Sequence, residues 1–228
     1  MTSPFEKPAC SEAQALAQRL GAKTGDHRST VHLTQTGRMR VSNDARWTSF
    51  KASQSVSVTR CAFDWRARTG AFGLQWIRDS LDHGEGSLSV KALGLIPLAR
   101  FEPSAALTQG QLIRYLAELP LAPDAILRNN ALVWRSLGSH QLSVSSGLGE
   151  NAAEVTFTLD DEGMVADMFA LRPRAVGSEF KPTPWLARFS DYRLHEGRRL
   201  PFRAEVTWKI EGTPHLVWQG RMTDWQLR

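Results

Sequence analysis

Apolar and polar residues alternate along most of this chain after its first 30 residues. In residues 47–58, WTSFKASQSVSV, an apolar face that includes Phe50 alternates with serine and lysine. In residues 61–68, CAFDWRAR, Phe63 and Trp65 alternate with aspartate and arginine. A period of two residues is typical of antiparallel strands with one buried face and one face in water. The pattern therefore predicts a sheet of many antiparallel strands.

The second half of the chain repeats this alternation in segments that turn-forming residues separate. The segments are LVWRSL, HQLSVSSGL, AEVTFTLD, MVADMFAL, FSDYRLHEG, LPFRAEVTWKI and HLVWQGRMTDWQL. Between two of them, Asp160, Asp161 and Gly163 are residue types that hairpin turns prefer. HEGRRLP and IEGTPH have the same character, so hairpin connections are expected throughout. In the first half, residues 87–101, SLSVKALGLIPLARF, continue the alternation and indicate one further strand.

The N-terminal part has a helical period instead. Residues 11–20, SEAQALAQRL, begin with capping-box spacing between Ser11 and Gln14. Gly21 stands where the helix would stop. A polar linker, GAKTGDHRST, follows and leads into the strands.

A second helical stretch interrupts the strands near the middle of the chain. Thr108 and Gln111 have capping-box spacing, and Leu112 and Leu116 fall on one apolar stripe. Pro120 ends this helix, because the residue before a proline is pushed out of the helical region. A second short helix is expected in the sequence PDAILR, which ends at a pair of asparagines.

The order of elements along the chain predicts an α+β, mainly β fold, because strands come first, a helical insert follows at about 108–128, and strands come again. A sheet of this many strands curls, and its concave face must be filled. We therefore expect a strongly curved antiparallel sheet, or incomplete β-barrel, with the insert in or across its concave face. Residues 1–28 are expected to be an N-terminal helix and linker, and residues 29–228 a single half-barrel domain.

The charge of the chain changes this picture little. It has 28 lysine and arginine residues against 23 acidic ones, a formal charge of +5, and 8 tryptophans. The basic residues are scattered along many strands, which favours solvated faces over a nucleic-acid site. Arginine and tryptophan interleave in WRARTGAFGLQWIRD, as in proteins that bind single strands. Because Phe63 and Trp65 share the apolar face, core packing is the preferred interpretation, and no nucleic-acid partner is predicted.

Three features of the sequence bear on the cellular location of the protein. Cys10 and Cys61 form no C-x-x-C pair, so free thiols in a reducing compartment are expected. The chain has no apolar run of about 18 residues, so no transmembrane segment is predicted. The N-terminal sequence MTSPFEKPACSEAQ lacks the basic and apolar regions of a signal peptide. Together these features predict a cytoplasmic protein.

Motifs for catalysis and for metal binding are weak. The chain has 6 histidines but no G-x-S-x-G sequence, and its glycine-rich stretches lack the lysine of a phosphate-binding loop. Asp79, Asp82, His83 and Glu85 lie together in RDSLDHGEG, where oxygen ligands for a cation are one interpretation. A polar hairpin tip explains the same residues more simply. No metal and no cofactor are predicted.

A set of short motifs carries a resemblance to a known family. The motifs are GRMR, WTSFKASQ, FDWRAR, GEGSLSVKALGLIPL, LIRYLAEL, VTFTLDDEGMV and FSDYRLHEGRRLPFRAEVTW. Over roughly residues 36–226 this set resembles an uncharacterised bacterial domain-of-unknown-function family. The second half of that family is similar to the lipoprotein-carrier fold of the LolA and LolB kind. The resemblance implies an incomplete barrel around helices, with an apolar cavity for acyl chains, and implies no known activity.

Two groups of residues are candidates for such a cavity. The candidate wall consists of Phe50, Phe63, Trp65, Trp76, Leu112, Leu116, Trp134, Trp208 and Trp218. The candidate mouth consists of Arg114, Tyr115, Glu118, Arg172, Tyr192 and Glu205. Planar arginine donors suit carboxylates and phosphates, so the mouth would orient a ligand head group. An ordinary aromatic core and cross-strand ion pairs are the alternative interpretation.

Three functions are compatible with these residues. The first is a non-catalytic module that binds a lipid or another apolar small molecule. The second is an enzyme in which Glu118 or Glu205 is a base and Tyr115 or Arg172 stabilises developing charge. The third is a scaffold that binds another protein through a sheet edge or a tryptophan-rich patch. The oligomeric state is left open.

Overall fold

The computed structural model describes residues 10–40, 45–93, 96–101, 103–177 and 179–228. The strands are β1 Thr30–Met39, β2 Thr48–Ser57, β3 Phe63–Thr69, β4 Gln75–Asp82, β5 Glu85–Ala92, β6 Ile96–Arg100, β7 Val133–Gly138, β8 Gln141–Ser146, β9 Ala153–Leu159, β10 Val165–Val176, β11 Glu179–His195, β12 Arg198–Ile210 and β13 Thr213–Leu227. The helices are α1 Ser11–Arg19, α2 Ala105–Ala117 and α3 Ala125–Arg128, and single turns of 3-10 helix cover Ala71–Gly73, Leu119–Leu121 and Gly149–Asn151.

All 13 strands form one antiparallel sheet in the order β6-β5-β4-β3-β2-β1-β13-β12-β11-β10-β9-β8-β7. β1 pairs with β13 in the middle, so the first half of the chain builds one side of the sheet and the second half the other. The described strands leave β6 and β7 as the two edges. The segment between these edges carries α2 and α3 and crosses the concave face. This confirms the predicted curved, open, mainly β fold with a helical insert.

The alternation in the sequence corresponds to the two faces of the sheet. In β3 the side chains of Phe63, Trp65 and Ala67 are buried, whereas Arg66 and Arg68 are exposed. The buried side chains of the strands meet the apolar stripe of α2 in one core. The curved sheet therefore buries its inner face against its own helical connection. None of the described helices is long and apolar enough to cross a membrane.

The beginning of α2 lies three residues before the predicted one. Ser104 is the N-cap, and its hydroxyl accepts a hydrogen bond from the amide of Leu107 at 3.1 Å. The predicted cap at Thr108 is therefore wrong. The hydroxyl of Thr108 instead accepts a hydrogen bond from the amide of Gly86 in β5, at 3.1 Å. A Cβ atom at Gly86 would lie 2.8 Å from the Cα of Thr108, so glycine permits this close contact.

Two further predictions of local structure need correction. The capping box at the start of α1 is absent, because Cys10 is the N-cap and no side chain caps the helix; the hydroxyl of Ser11 bonds to the carboxylate of Glu12. The predicted strand 87–101 is divided into β5 and β6, and Leu93 between them has a positive φ of 52°. The predicted stop of α1 at Gly21 is confirmed, with a φ of 75°.

A buried ion pair attaches the N-terminal segment to the sheet. Asp124 accepts hydrogen bonds from Arg198 at 2.8 and 2.9 Å, and from the amide of Lys23 at 3.1 Å. The side chains of Asp124 and Arg198 are 0% and 1% exposed. Leu16 and Leu20 of the same segment are buried in the core. The described part of the N-terminal segment thus packs on the body, while the domain boundary at residue 28 stays a prediction.

Replacing Arg198 with methionine should destabilise the protein strongly. Removing one partner of a buried pair leaves the other charge unpaired, which costs about 3–5 kcal/mol of the free energy of unfolding. The measurement is urea unfolding at pH 7. Arg193→Met is the control, because Arg193 pairs with Asp191 at the surface and its loss should cost less than about 1 kcal/mol. Equal losses in the two variants would contradict the role assigned to the Arg198–Asp124 pair.

Candidate functional site

A cavity of about 280 Å³ lies between the helical segment and the inner face of the sheet. We call it the concave cavity. Its apolar wall includes Met39, Trp65, Ile77, Leu121, Trp185, Ala187, Phe189, Ala204, Val206, Trp208, Val217 and Trp218. Its polar lining includes Gln35, Arg40, Arg114, Glu118 and Arg172. A mostly apolar space with a few placed polar groups is typical of small-molecule sites.

The aromatic wall is held in place by further rings behind it. The ring of Phe50 packs edge-on against Trp65 at 5.8 Å and stacks on Trp218 at 5.5 Å between ring centroids. The indole of Trp65 also donates a hydrogen bond to the side chain of Gln35 at 3.0 Å. Trp185 and Trp208 lie side by side on β11 and β12, 6.2 Å apart. Ring packing therefore fixes the wall, and the indole N–H of Trp65 has a partner within the protein.

Arg114 is the centre of the polar part of the site. Its guanidinium pairs with Asp79 of β4 and with Glu118, whose carboxylate oxygen lies 2.9 Å from Nε. The same group lies 5.0 Å from the ring centroids of both Phe63 and Trp65. Burial lowers the pKa of Arg114, but Glu118 and Asp79 outweigh burial and raise it above its usual value. Arg114 therefore stays charged and anchors α2 to the inner face of the sheet.

Glu118 is a buried carboxylate with two donors. Gln54 of β2 donates a hydrogen bond to one oxygen, and Arg114 donates to the other. Burial raises the pKa of Glu118 and prevails over the lowering effects of Arg114 and Gln54. Both oxygens are thus engaged by the protein itself. The Oε1 atom of Gln54 and the Oδ1 atom of Asp79 are buried without a hydrogen-bond partner in the described part of the chain.

Arg172 differs from Arg114 because it has no ion pair with the residues that the structure describes. Its Nε donates to the carbonyl of Gly110 at 3.0 Å, and an outer nitrogen donates to the side chain of Gln111 at 3.4 Å. Its guanidinium lies 4.6 Å from the ring centroid of Trp185. Burial lowers the pKa of Arg172 to about 10. At neutral pH this residue is a partly buried cation that lines the concave cavity.

The structure places some of the predicted residues in the concave cavity and others elsewhere. Those that line it are Trp65, Trp208, Trp218, Arg114, Glu118 and Arg172. Leu112 and Leu116 are buried in the core, and Trp134 stacks on Phe157. Phe50 and Phe63 support the wall from behind. Trp76 was predicted in the wall, but it lies on the outer face, where it is partly exposed beneath the guanidinium of Arg68.

Three predicted mouth residues also lie away from the cavity. Tyr115 is buried, and its hydroxyl donates to the carbonyl of Ser57 at 3.0 Å and accepts from Asn129 at 2.9 Å. Tyr192 donates to the carbonyl of Val165 at 2.8 Å. Glu205 accepts a hydrogen bond from Gln219 on the outer face. The two tyrosines satisfy buried backbone groups, and Glu205 is on the wrong face to act as a base in the cavity.

Sequence reasoning missed Asp79, Gln35, Gln54 and Trp185 as parts of this site. Asp79 was attributed to a hairpin tip, although it lies in β4 opposite Trp65. A usable signal was present: Asp79 falls between Ile77 and Leu81 in the apolar phase of its strand. Gln35 and Gln54 fall in the apolar phase of β1 and β2 in the same way. A polar residue in an apolar phase must find a polar partner inside the protein.

The raised pKa of Glu118 predicts a pH dependence of stability. A folded-state pKa above the unfolded value favours the protonated form in the folded protein. The stability that results is present at low pH and is lost as the pH rises from about 4.5 through the folded-state pKa. The Glu118→Gln variant has no titratable side chain at this position. The free energy of unfolding of the wild type, relative to this variant, should therefore fall as the pH rises above about 4.5.

Urea unfolding from pH 4 to pH 8 measures this difference. Glu205→Gln serves as the matched control, because it changes a glutamate on the outer face of β12. A difference between wild type and Glu118→Gln that stays constant or rises over this pH range would contradict the direction of the pKa shift.

Comparison with known proteins identifies one matching family model and several solved structures with a similar fold. The model of one protein family of unknown function matches residues 14–220. A LolA superfamily protein from Nitrosomonas europaea is similar in structure, with a TM-score of 0.53, 9% identity, and coverage of 97% of this chain and 94% of that one. A DUF1329 family protein from Desulfovibrio piger has a TM-score of 0.54, 8% identity, and coverage of 96% and 93%.

A third similar structure is a putative outer membrane lipoprotein-sorting protein domain from Vibrio parahaemolyticus. It has a TM-score of 0.53, 8% identity, and coverage of 95% of this chain and 91% of that one. At such low identity these likenesses show a shared fold alone. No curated protein sequence matches the chain. In the described ranges, no three His, Cys, Asp or Glu side chains come together as a metal ion would require.

Proposed function

The chain belongs to that family, DUF6544, a family of unknown function, and on this premise we propose that it is a non-catalytic protein that binds a lipid-like molecule in the concave cavity. The observation that carries the proposal is the combination of an apolar aromatic wall with one partly buried cation, Arg172, that lacks an ion pair among the described residues. Such a space suits a molecule with an apolar chain and an anionic end. The shared fold with a structure named for lipoprotein sorting is consistent with this assignment.

The apolar chain of the ligand would lie along the tryptophan wall. Trp208 and Trp218 are partly exposed to the cavity, and burying their rings would remove apolar surface from water. A volume of about 280 Å³ is near the lower limit for small-molecule pockets. The cavity is therefore suited to a single chain rather than to a bulky lipid with several chains.

The anionic end of the ligand would bind Arg172. Its charge is desolvated, and its donors to Gly110 and Gln111 fix the plane of the guanidinium. A carboxylate or phosphate would supply the direct ion pair that Arg172 lacks in the described part of the chain, where Asp79 and Glu118 act on it only at longer range. Arg114 would not take this role, because Asp79 and Glu118 already neutralise it.

Acid–base catalysis is the second candidate, and one observation favours it. The pKa of Glu118 is raised by burial, as in many catalytic carboxylates. However, both oxygens of Glu118 accept hydrogen bonds from Arg114 and Gln54. A base must be free to reach the proton that it removes. We therefore propose that Glu118 positions Arg114.

The cytoplasmic location expected from the sequence stays a prediction.

Filling the concave cavity should abolish ligand binding. Ala204 lies on the inner face of β12 and lines the cavity, so Ala204→Trp places an indole where the ligand chain would lie. Binding of a dansyl-labelled undecanoic acid should weaken by at least about tenfold, equal to about 1.4 kcal/mol. Fluorescence titration measures the affinity, and native mass spectrometry of the purified protein shows whether a ligand is already bound.

Glu205→Trp is the matched control for this experiment. Residue 205 follows directly on the same strand but points to the outer face, so the same indole should leave binding unchanged. Leu116 is unsuitable as a blocking position, because its side chain belongs to the closed core. A wild-type protein that carries no ligand and does not bind the probe would refute the proposed function.

Removing the charge of Arg172 should change which end group the cavity prefers. The wild type should bind dodecanoic acid more tightly than dodecanol by about 10- to 100-fold, the range expected for a hydrogen bond to a charged group. In Arg172→Met this preference should disappear, whereas Arg172→Lys should retain part of it. Displacement of the dansyl probe measures both affinities. Arg188→Met, which removes an exposed arginine paired with Asp167, should behave like the wild type.

A further inference from the structure

Two turns at one end of the sheet expose large apolar side chains. Phe72, in the connection from β3 to β4, is 99% exposed, and Leu74 beside it is also exposed. Leu93, directly after β5, and Ile96, the first residue of β6, are exposed as well. The amide of Leu93 donates a hydrogen bond to the carbonyl of Leu74 at 2.7 Å. The two turns therefore form one surface, which we call the apolar tip (Phe72, Leu74, Leu93 and Ile96).

The backbone of the apolar tip is held in an unfavourable conformation. Phe72 has a φ of 57° and Leu93 a φ of 52°. Bulky residues rarely adopt this left-handed region, whereas glycine and asparagine adopt it readily. Neither side chain contributes to the buried core. The strain and the exposure together indicate that the two side chains act outside the domain itself.

A row of cations crosses the outer face of the sheet next to the apolar tip. The strand register aligns Lys51, Arg68, Trp76 and Lys91 across β2, β3, β4 and β5. These three strand spacings cover about 14 Å. The row of cations ends at β1, where Lys51 pairs with the uncharged Thr36. The four aligned residues Lys51, Arg68, Trp76 and Lys91 are called the outer basic row.

The outer basic row is not neutralised by the protein. Lys51, Arg68 and Lys91 make no ion pair within the described ranges, and Arg68 lies over the indole of Trp76 at 4.6 Å. They line a broad outer groove of about 750 Å³, together with Arg66 and Arg78, which both pair with Asp64 and therefore add less free charge. No carboxylate is among the described residues that line this groove. The positive charge of this part of the chain is therefore available to an anionic partner.

We infer that this corner of the sheet docks on an anionic phospholipid bilayer, with the apolar tip in the lipid interface and the outer basic row on the head groups. Apolar side chains beside lysine and arginine suit an interface where acyl chains lie beneath anionic groups. Trp76 of the outer basic row follows Leu74 of the apolar tip by two residues, and tryptophan is enriched at membrane–water interfaces. A nucleic acid would match the cations but would leave Phe72 and Leu93 in water.

The position of the concave cavity agrees with this orientation. Met39 of the cavity wall is the last residue of β1, where it pairs with Thr48 at the start of β2. Two residues further along β2, Phe50 pairs with Thr69, the last residue of β3 before the turn that carries Phe72. This end of the cavity and the apolar tip thus share one end of the sheet. Docking does not depend on the cavity being a ligand site, so the two proposals succeed or fail separately.

Vesicle co-sedimentation with the full chain tests the docking surface. Wild-type protein should sediment with vesicles of phosphatidylcholine and phosphatidylglycerol, and much less with phosphatidylcholine alone or at high salt. Phe72→Asn with Leu93→Asn removes the apolar groups while asparagine tolerates the left-handed backbone. The partition coefficient of this double variant should fall by at least about tenfold. Lys51→Gln with Lys91→Gln should lower it by about fivefold for each lysine.

Matched controls lie at the opposite end of the sheet. Leu194→Asn removes an exposed leucine, and Arg199→Gln removes an exposed cation, and both should bind vesicles like the wild type. Wild-type protein that does not sediment with anionic vesicles would overturn the inference. So would full vesicle binding by Phe72→Asn with Leu93→Asn. Tight binding of a single-stranded oligonucleotide that this double variant retains would assign the outer basic row to nucleic acid instead.

Discussion

The connection between the two edges of the sheet is the constraint on which the rest of the structure depends. β6 ends at one edge and β7 begins at the other, while β1 and β13 pair in the middle. A chain that must pass from edge to edge of a curved sheet crosses its concave face, and a helix satisfies its own backbone on the way. The segment with α2 and α3 is therefore both the connection and the filling of the half-barrel. Its length and its apolar stripe determine how much of the concave space is closed and how much stays open.

Two buried ionic groups fix this connection at its two ends. Arg114 joins α2 to β4 through Asp79, and Asp124 joins the start of α3 to β12 through Arg198. Buried ion pairs contribute less to stability than to the choice of one arrangement, since each charge has few acceptable partners. Between these two attachments the 3-10 turn Leu119–Leu121 contacts β12, and Glu118 and Leu121 line the concave cavity. The cavity is thus a consequence of how the connection is anchored. Arg172 lies at its border and makes no direct ion pair with the anchoring carboxylates, although Asp79 and Glu118 act on it at longer range.

The sequence predicted the fold well, because apolar and polar residues alternate with a period of two wherever one face of a strand is buried and the other is in water. It located the helical insert, but not its first residue, since Ser104 and Thr108 are both acceptable caps and tertiary contacts decide between them. It placed Arg114, Glu118 and Arg172 in the candidate site, and it misplaced Trp76 and Tyr115. Tryptophan on an outer face and tyrosine in a core are decided by partners such as Arg68 and Asn129. Asn129 lies 14 residues from Tyr115, so periodicity alone could not identify it, whereas Trp76 is out of phase with Ile77 and Leu81 and the alternation did indicate its outer position.

The same alternation separates two kinds of chemistry on neighbouring residues. Along β3 and β4, Trp65 and Ile77 face the concave cavity, while Arg66 and Trp76 face outward. A shift of one residue in the register of either strand would exchange the two sets. Because hydrogen bonding fixes this register from β12 to β5, the wall of the concave cavity and the outer cations are determined by the same sheet. The strained turn at Phe72 then ends that element with an apolar group that neither face can bury. A single sheet corner therefore combines an internal apolar space, an external positive charge and an exposed apolar tip, and the proposed docking on a lipid surface rests on the charge and the tip.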